Sequence, residues 1–260
     1  MPELVISEDR GPVRHVILNR PEKRNAFDAE LVRATGGALR AAADAPAVRV
    51  VIVRGAGKVF SAGMDVAALA GAATDPERLR AFRRDCLAAW NLAEEMTKPV
   101  IAQIHGACLG GALELALACD LRVLSADAVV GLPETRLGLV PDVGGSSRLP
   151  QVVGLGRAKE LIMTGRVIGA EEAERYGLAN RVAPADRLDE ATGELAEELL
   201  SCAPLAVGLA KRLLDASARP ALSTTLELEI AAQERCARSE DVREGVQAAA
   251  ERRPPRFTGR

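Results

Sequence analysis

Gly106–Asp120, GACLGGALELALACD, is the stretch around which the rest of the chain is organised. Its glycines allow the backbone to turn sharply or to approach a ligand closely. Ala112–Ala118, ALELALA, then follows as a run of strong helix formers. Apolar residues flank Glu114 on both sides, so whichever face such a helix buries, its carboxylate has little polar company. A carboxylate there is costly to ionise and its pKa rises. The free N–H groups of a helix start act the other way, attracting negative charge and anionic oxygens. Glycine turn, exposed amides and confined carboxylate together fit a reaction site. The same residues would also suit a glycine-capped core helix with a snorkelling glutamate.

Composition narrows the setting. With 260 residues, 48% of them hydrophobic, the chain can bury one large core or one core with a helical appendage. A formal net charge of −2 supplies no field toward nucleic acid or anionic membrane, and 2% aromatics leave few platforms for stacking bases. Cys86, Cys108, Cys119, Cys202 and Cys236 contain no C-x-x-C pair and are odd in number, which fits buried thiols in a reducing compartment. The start, MPELVISEDRG, lacks a basic region followed by a long apolar one, and no apolar run reaches membrane-spanning length. A soluble, cytoplasmic protein without membrane or nucleic-acid partners is expected.

Outward from the opening stretch, strands and helices alternate up to about residue 135. Strands are expected at Leu4–Ile6, Val13–Leu18, Val48–Val53, Pro99–His105, Leu121–Leu124 and Ala128–Val130. Asp28 can cap a helix running to about Ala43, and Pro76 stands near the start of a long helix whose wet face should carry Arg83 and Arg84. Such alternation predicts parallel α/β connections. Helices dominate afterwards, starting at Gly144-Gly145-Ser146 and ending with Pro204–Ala216, Leu222–Arg238 and a last one opened by Ser239-Glu240-Asp241. The expected organisation is an α/β core over 1–195 and a helical region over 196–260.

Several familiar motifs fail on inspection. Lys58 in GAGKV would need a glycine at 52 and Ser or Thr at 59 for a phosphate loop, and the chain has Ile52 and Val59. GACLGG has Cys108 where a dinucleotide fingerprint needs glycine, and Ser61 has Val59 where a hydrolase elbow needs glycine. With His15 and His105 as the only histidines, His-centred catalysis is poorly supplied, and His105 reads as a strand-end core residue. What remains are two strand–glycine-turn–helix units, FSAGMD at 60–65 and ACLGGALE at 107–114. Each can present a backbone N–H ahead of a helix. Two such donors converging on one carbonyl oxygen would form an oxyanion hole, and confined carboxylates beside it could move a proton next to that carbonyl.

FSAGMD, followed some forty residues on by IHGACLGGALELALACD, resembles the crotonase (enoyl-CoA hydratase/isomerase) superfamily. The likeness extends from Arg20-Pro21 through LPETRLGLVPDVGGSSRLPQVVG to the closing SEDVREG. It implies an α/β fold built as a spiral of stacked β-β-α units with a C-terminal helical region, a topology the strand–helix reading does not reach. It further implies oxyanion donors at the backbone N–H groups of Met64 and Gly111, and catalytic glutamates at Glu114 and Glu134. Glu114 would orient and activate water for the β-carbon, and Glu134 would exchange the proton at the α-carbon. Lys23, Arg24, Ala26, Ala62, Asp65, Gly110 and Phe257 would belong to the substrate and coenzyme A surface. Lys23 and Arg24 also suit a solvated basic loop.

Two departures stand out. Ala67 replaces the lysine that often follows the A-G-x-D motif and serves the nucleotide end of coenzyme A. Asp142 stands where the fatty-acid hydratase has glycine and where dienoyl-CoA isomerases carry a catalytic aspartate, although those enzymes have aspartate in place of Glu114. As a residue before Val143-Gly144-Gly145, Asp142 is expected to cap the following helix. The expected activity is hydration of a 2-trans-enoyl-CoA to a 3-hydroxyacyl-CoA, with no metal or other cofactor, since coenzyme A is part of the substrate. The alternatives are isomerisation of a 3,5-dienoyl-CoA or another enoyl-CoA by Glu134 and Asp142, and, more remotely, an RNA-binding hydratase-like protein. The resemblance implies a homotrimer or a dimer of trimers, with the C-terminal helices, including LELEIAA at 226–232, at the subunit contacts.

Overall fold

The computed structural model, which describes residues 3–73, 75–218 and 222–256, builds the chain on two sheets of six and three strands. β1 (Val5–Arg10) pairs antiparallel with β2 (Val13–Leu18), the connection being a tight turn at Gly11. Asp28 then caps α1 (Ala29–Asp44), its Oδ1 accepting from the N–H groups of Glu30 and Leu31 at 3.1 and 2.9 Å. β3 (Val50–Gly55) lies parallel to β2. Its Val51 and Val53 enter the main core, while Val50 and Ile52 enter a second core on the opposite face. This is the period-two signature of a strand covered on both sides.

From here the chain repeats one theme. After α2 (Val66–Ala73) and α3 (Pro76–Glu95), β4 (Val100–Ile104) joins the large sheet, β5 (Ala107–Leu109) joins the small one, and α4 (Gly111–Ala118) closes the turn. β6 (Leu121–Ser125) and β7 (Val129–Gly131) repeat it, followed by a 3-10 turn at Pro133–Leu137 and α5 (Gly145–Val153). Isolated bridges between Phe27 and Met64 and between Ser61 and Cys108 extend the small sheet back through the earlier turns. The result is the stacked β-β-α spiral that the family resemblance implied. α6 (Leu155–Thr164), β8 (Val167–Gly169), α7 (Ala170–Arg175) and β9 (Arg181–Ala183) complete the sheets, in the orders β1-β2-β3-β4-β6-β9 and β5-β7-β8.

α8 (Leu188–Leu200) covers the second face through Leu188, Leu195 and Ala196. α9 (Pro204–Ala218), α10 (Leu222–Ala237) and α11 (Glu240–Glu251) follow. Trp90 of α3 packs edge-on against Phe27, just ahead of α1, with ring centroids 4.9 Å apart.

Local patterning misplaced several details. Arg83 is buried, its Nε donating to the Asp142 carbonyl at 2.7 Å, whereas Arg84 does face water. Cys202 is exposed, unlike the buried Cys86, Cys108 and Cys119. His105 stands half-buried at its strand end, with Nε2 3.0 Å from the Gly57 carbonyl.

Candidate active site

Because each spiral turn stacks on the one before, the two glycine turns lie side by side. Gly63 has φ +96°, and a Cβ there would sit 2.5 Å from the Leu109 carbonyl oxygen. A Cβ on Gly111 would collide with the Met64 side chain. At Gly63, where the backbone is left-handed and the neighbour is a main-chain oxygen, only glycine permits this approach. Among the described residues, no group accepts from the backbone N–H of Met64 or of Gly111. Both donors therefore remain open at the junction of the two turns.

The opening helix α4 is buried along its whole length, and Glu114 is shielded from bulk water with it. Its Oε1 accepts from the N–H groups of Val143 at 3.0 Å and Gly145 at 2.8 Å. Burial, followed by the charges of Glu134, Asp142 and Glu229, raises its pKa well above the carboxylate range, and the Gly145 amide opposes the rise. Glu134 opens the 3-10 turn behind Pro133, and its Oε1 lies 2.9 Å from where a Cβ on Gly110 would be. Its Oε2 is shielded and accepts no hydrogen bond, although the residue as a whole is half-buried. Burial, with a further push from Asp142, raises Glu134 to about 8 against the pull of a backbone hydrogen bond. Glu134 thus lies against Gly110, near enough to Glu114, held on the Val143 and Gly145 amides, for their charges to interact.

Asp142 does not cap α5, contrary to the sequence expectation. The amides that a cap would satisfy are taken by other carboxylates: Val143 and Gly145 donate to Glu114, and Gly144 donates to Glu229 Oε2 at 3.1 Å. Gly144, with φ +109°, occupies the cap position itself. Asp142 Oδ2 is buried without a hydrogen-bond partner, with Arg83 Nε 3.9 Å away. Burial raises Asp142 to about 7, Arg83 lowering it and Glu229 raising it further. Glu229, Gln233 and Arg83 are site groups that sequence reasoning missed, because their partners lie 59 to 93 residues away.

The candidate coenzyme A surface is only partly assembled by direct contact. Lys23 and Arg24 are exposed at the end of a 3-10 turn over Pro21–Lys23, where Arg24 and Asn25 both have φ 53°. Asn25, within the Lys23–Ala26 stretch, is fully buried and holds this turn to the first glycine unit, donating from Nδ2 to the carbonyls of Ala56, Val59 and Phe60. Ala62 N–H donates to the Arg24 carbonyl, and the Ala26 carbonyl accepts from Arg20. Asp65 is occupied with its own chain: Oδ1 caps Ala67 and Ala68, and Oδ2 pairs with Arg20 at 3.0 Å. Burial pushes Asp65 up, but Arg20 and the two amides outweigh it and hold the carboxyl below its ordinary value. Ala67 is exposed, and Phe257 lies outside the described residues. Among the described residues, no cluster of His, Cys, Asp or Glu is arranged to hold a metal ion. No helix among them is long and apolar enough to cross a membrane.

The family profile "Enoyl-CoA hydratase/isomerase" matches residues 8–260. A carnitinyl-CoA dehydratase of Proteus mirabilis is 40% identical over 96% of this chain and 97% of its own. An enoyl-CoA hydratase structure from Bacillus anthracis shares 38% identity at a TM-score of 0.80, covering 99% of this chain and 100% of that one. An enoyl-CoA hydratase structure from Mycobacterium avium subsp. paratuberculosis reaches a TM-score of 0.88 at 28% identity, with 98% of both chains covered. The chain belongs to the enoyl-CoA hydratase/isomerase family of the crotonase superfamily. It acts on a coenzyme A thioester as a hydro-lyase or isomerase.

Proposed function

We propose that the protein adds water to a 2-trans-enoyl-CoA, giving the 3-hydroxyacyl-CoA. The observation that carries this reading is a pair of interacting carboxyl groups, Glu134 against Gly110 and Glu114 on the helix that Gly111 opens, together with the open N–H groups of Met64 and Gly111. The thioester oxygen would accept from both N–H groups, which stabilise the negative charge that develops as the double bond polarises. Glu114 acts in its carboxylate form, which the Val143 and Gly145 amides favour against the opposing effect of burial, taking a proton from water while the water oxygen bonds to the β-carbon. Glu134, held protonated near neutral pH by burial, gives its proton to the α-carbon. Once Glu134 holds the proton, its repulsion on Glu114 disappears. Proton exchange with solvent restores the pair. The reverse reaction uses the same groups, so the dehydratase name of the Proteus relative suits this site equally well.

A second reading rests on Asp142. A buried aspartate with an unpartnered oxygen beside Glu114 and Glu134 could shuttle a proton in a 3,5-dienoyl-CoA isomerisation. An assay across enoyl-CoA and dienoyl-CoA thioesters, with wild type and Asp142→Asn, separates the two. Hydration is expected to survive the substitution within about tenfold, roughly 1.4 kcal/mol in the barrier. Wild-type turnover of the dienoyl substrate, together with more than a hundredfold loss in the variant, would favour isomerisation. A thermal melt of the variant guards against loss by unfolding.

Residues 1–195 would form the acyl-CoA core and 196–260 the helical region that completes the site and assembles the oligomer. The proposed assembly is a homotrimer, singly or paired. Leu205, Leu209 and Leu213, four residues apart on α9, expose one apolar edge that a second copy could cover. Ile230, within the LELEIAA run, is by contrast buried in its own chain.

A further inference from the structure

The turn Pro141–Gly145 carries more of the site than any other segment. It holds Asp142 and supplies both amides that bind Glu114. It is fastened from every side. Arg83 of α3 donates to the Asp142 carbonyl, and Arg148 Nη1 of α5 donates to the Val143 carbonyl at 3.2 Å. Arg148 is itself locked by Glu94 and Asn91, each at 2.7 Å. From α10 come two side chains one helical turn apart: Glu229 accepts from Gly144, and Gln233 accepts from Val140 at 3.0 Å. Both are buried, and Glu229 Oε1 accepts no hydrogen bond. A buried carboxylate on a mere packing helix would be costly. Here its chain-distant partner is the one amide lying between the two that hold Glu114.

We infer that Glu229 is a positioning residue: by holding Gly144 it fixes the turn whose neighbouring amides orient Glu114, which makes α10 part of the reaction site. The inference rests on the proposed role of Glu114. The groups facing Glu229 are Arg83 from α3, Arg148 and Ser147 from α5, Glu114 from α4 and Asp142 from the turn. Those facing Glu114 are Glu134, Asp142, Glu229 and, from α3, Cys86. Glu229 therefore acts on Glu114 in two ways: through the turn, and through like charge that disfavours the Glu114 carboxylate.

Two variants separate these effects. Glu229→Ala removes both acceptor and charge, and is expected to lower kcat about a hundredfold, the scale of misplacing a reacting group. KM should stay within about threefold, because the open N–H groups are backbone. Glu229→Gln keeps an acceptor for Gly144 and should recover at least about tenfold of that loss. The Gln variant also removes the charge, so the Glu114 limb of the kcat profile should move to lower pH, an effect that lost packing alone would not produce. Carboxyl 13C NMR of selectively labelled glutamate, assigned with Glu114→Gln, reads the same titration without turnover. If the wild type hydrated no enoyl-CoA, the functional reading would fall while this titration still tested Glu229. Wild-type kcat and KM in folded Glu229→Ala, or a Glu114 titration unmoved in Glu229→Gln, would overturn the inference. If Glu229→Ala does not fold, the Gln titration decides.

Discussion

Three carboxyl groups decide what the site can do, and they differ in how readable they are. Glu114 is legible because an acid inside ALELALA has nowhere polar to go, and the structure buries it as that pattern demands. Asp142 is not, because an aspartate before a glycine-rich helix start looks like a cap until Glu114 and Glu229 are found on the amides. Arg83 was misread for a similar reason: helical periodicity assigns a face, but not the carbonyl 59 residues away that draws the guanidinium inward. Glu134 gives a pH-dependent prediction. Its folded pKa of about 8 exceeds the ordinary 4.5, so the native state binds more protons between those values and stability falls as pH rises through that window. The melting temperature of the unliganded protein should drop from about pH 5 to about pH 8, and Glu134→Gln should flatten part of that slope. An identical slope in the variant would show that Glu134 is not the titrating group.

Among the elements, those with a period of their own were readable and those without were not. α1 and α11 announced their starts through Asp28 and Ser239, whose side chains accept from the first-turn amides. β8 and β9, three residues each, show no alternation that could betray them, and β5 was absorbed into the glycine turn it precedes. The spiral was legible only through the family resemblance, because the local pattern of strand, turn and helix is shared with flat doubly wound sheets. The close stacking of the two glycine turns is testable. Gly63→Ala places a Cβ against the Leu109 carbonyl at φ +96° and should cost about 1–3 kcal/mol of stability. Turnover should fall further than the folded fraction, because the Met64 N–H moves with the turn. A melt and kcat indistinguishable from wild type would show that the turns are not packed as described.

At the scale of the molecule, composition bounded size and argued against nucleic-acid and membrane partners. It did not reveal which surface stays uncovered. Family resemblance pointed to the C-terminal helices, and four exposed leucines, Leu205, Leu209, Leu213 and Leu214, lie on α9, while α10 turns Glu229, Ile230 and Gln233 inward. Light scattering at micromolar concentration should give a trimer or hexamer, and Leu209→Glu with Leu213→Glu should reduce it to monomer. A wild-type monomer would reject the proposed assembly. The central claim is hydration by two glutamates over a backbone oxyanion hole, and Glu114→Gln tests it most directly. Its kcat for hydrating a short 2-trans-enoyl-CoA should fall by at least about a hundredfold, with affinity for a saturated acyl-CoA little changed. Near-normal hydration by the folded variant would contradict the two-glutamate mechanism.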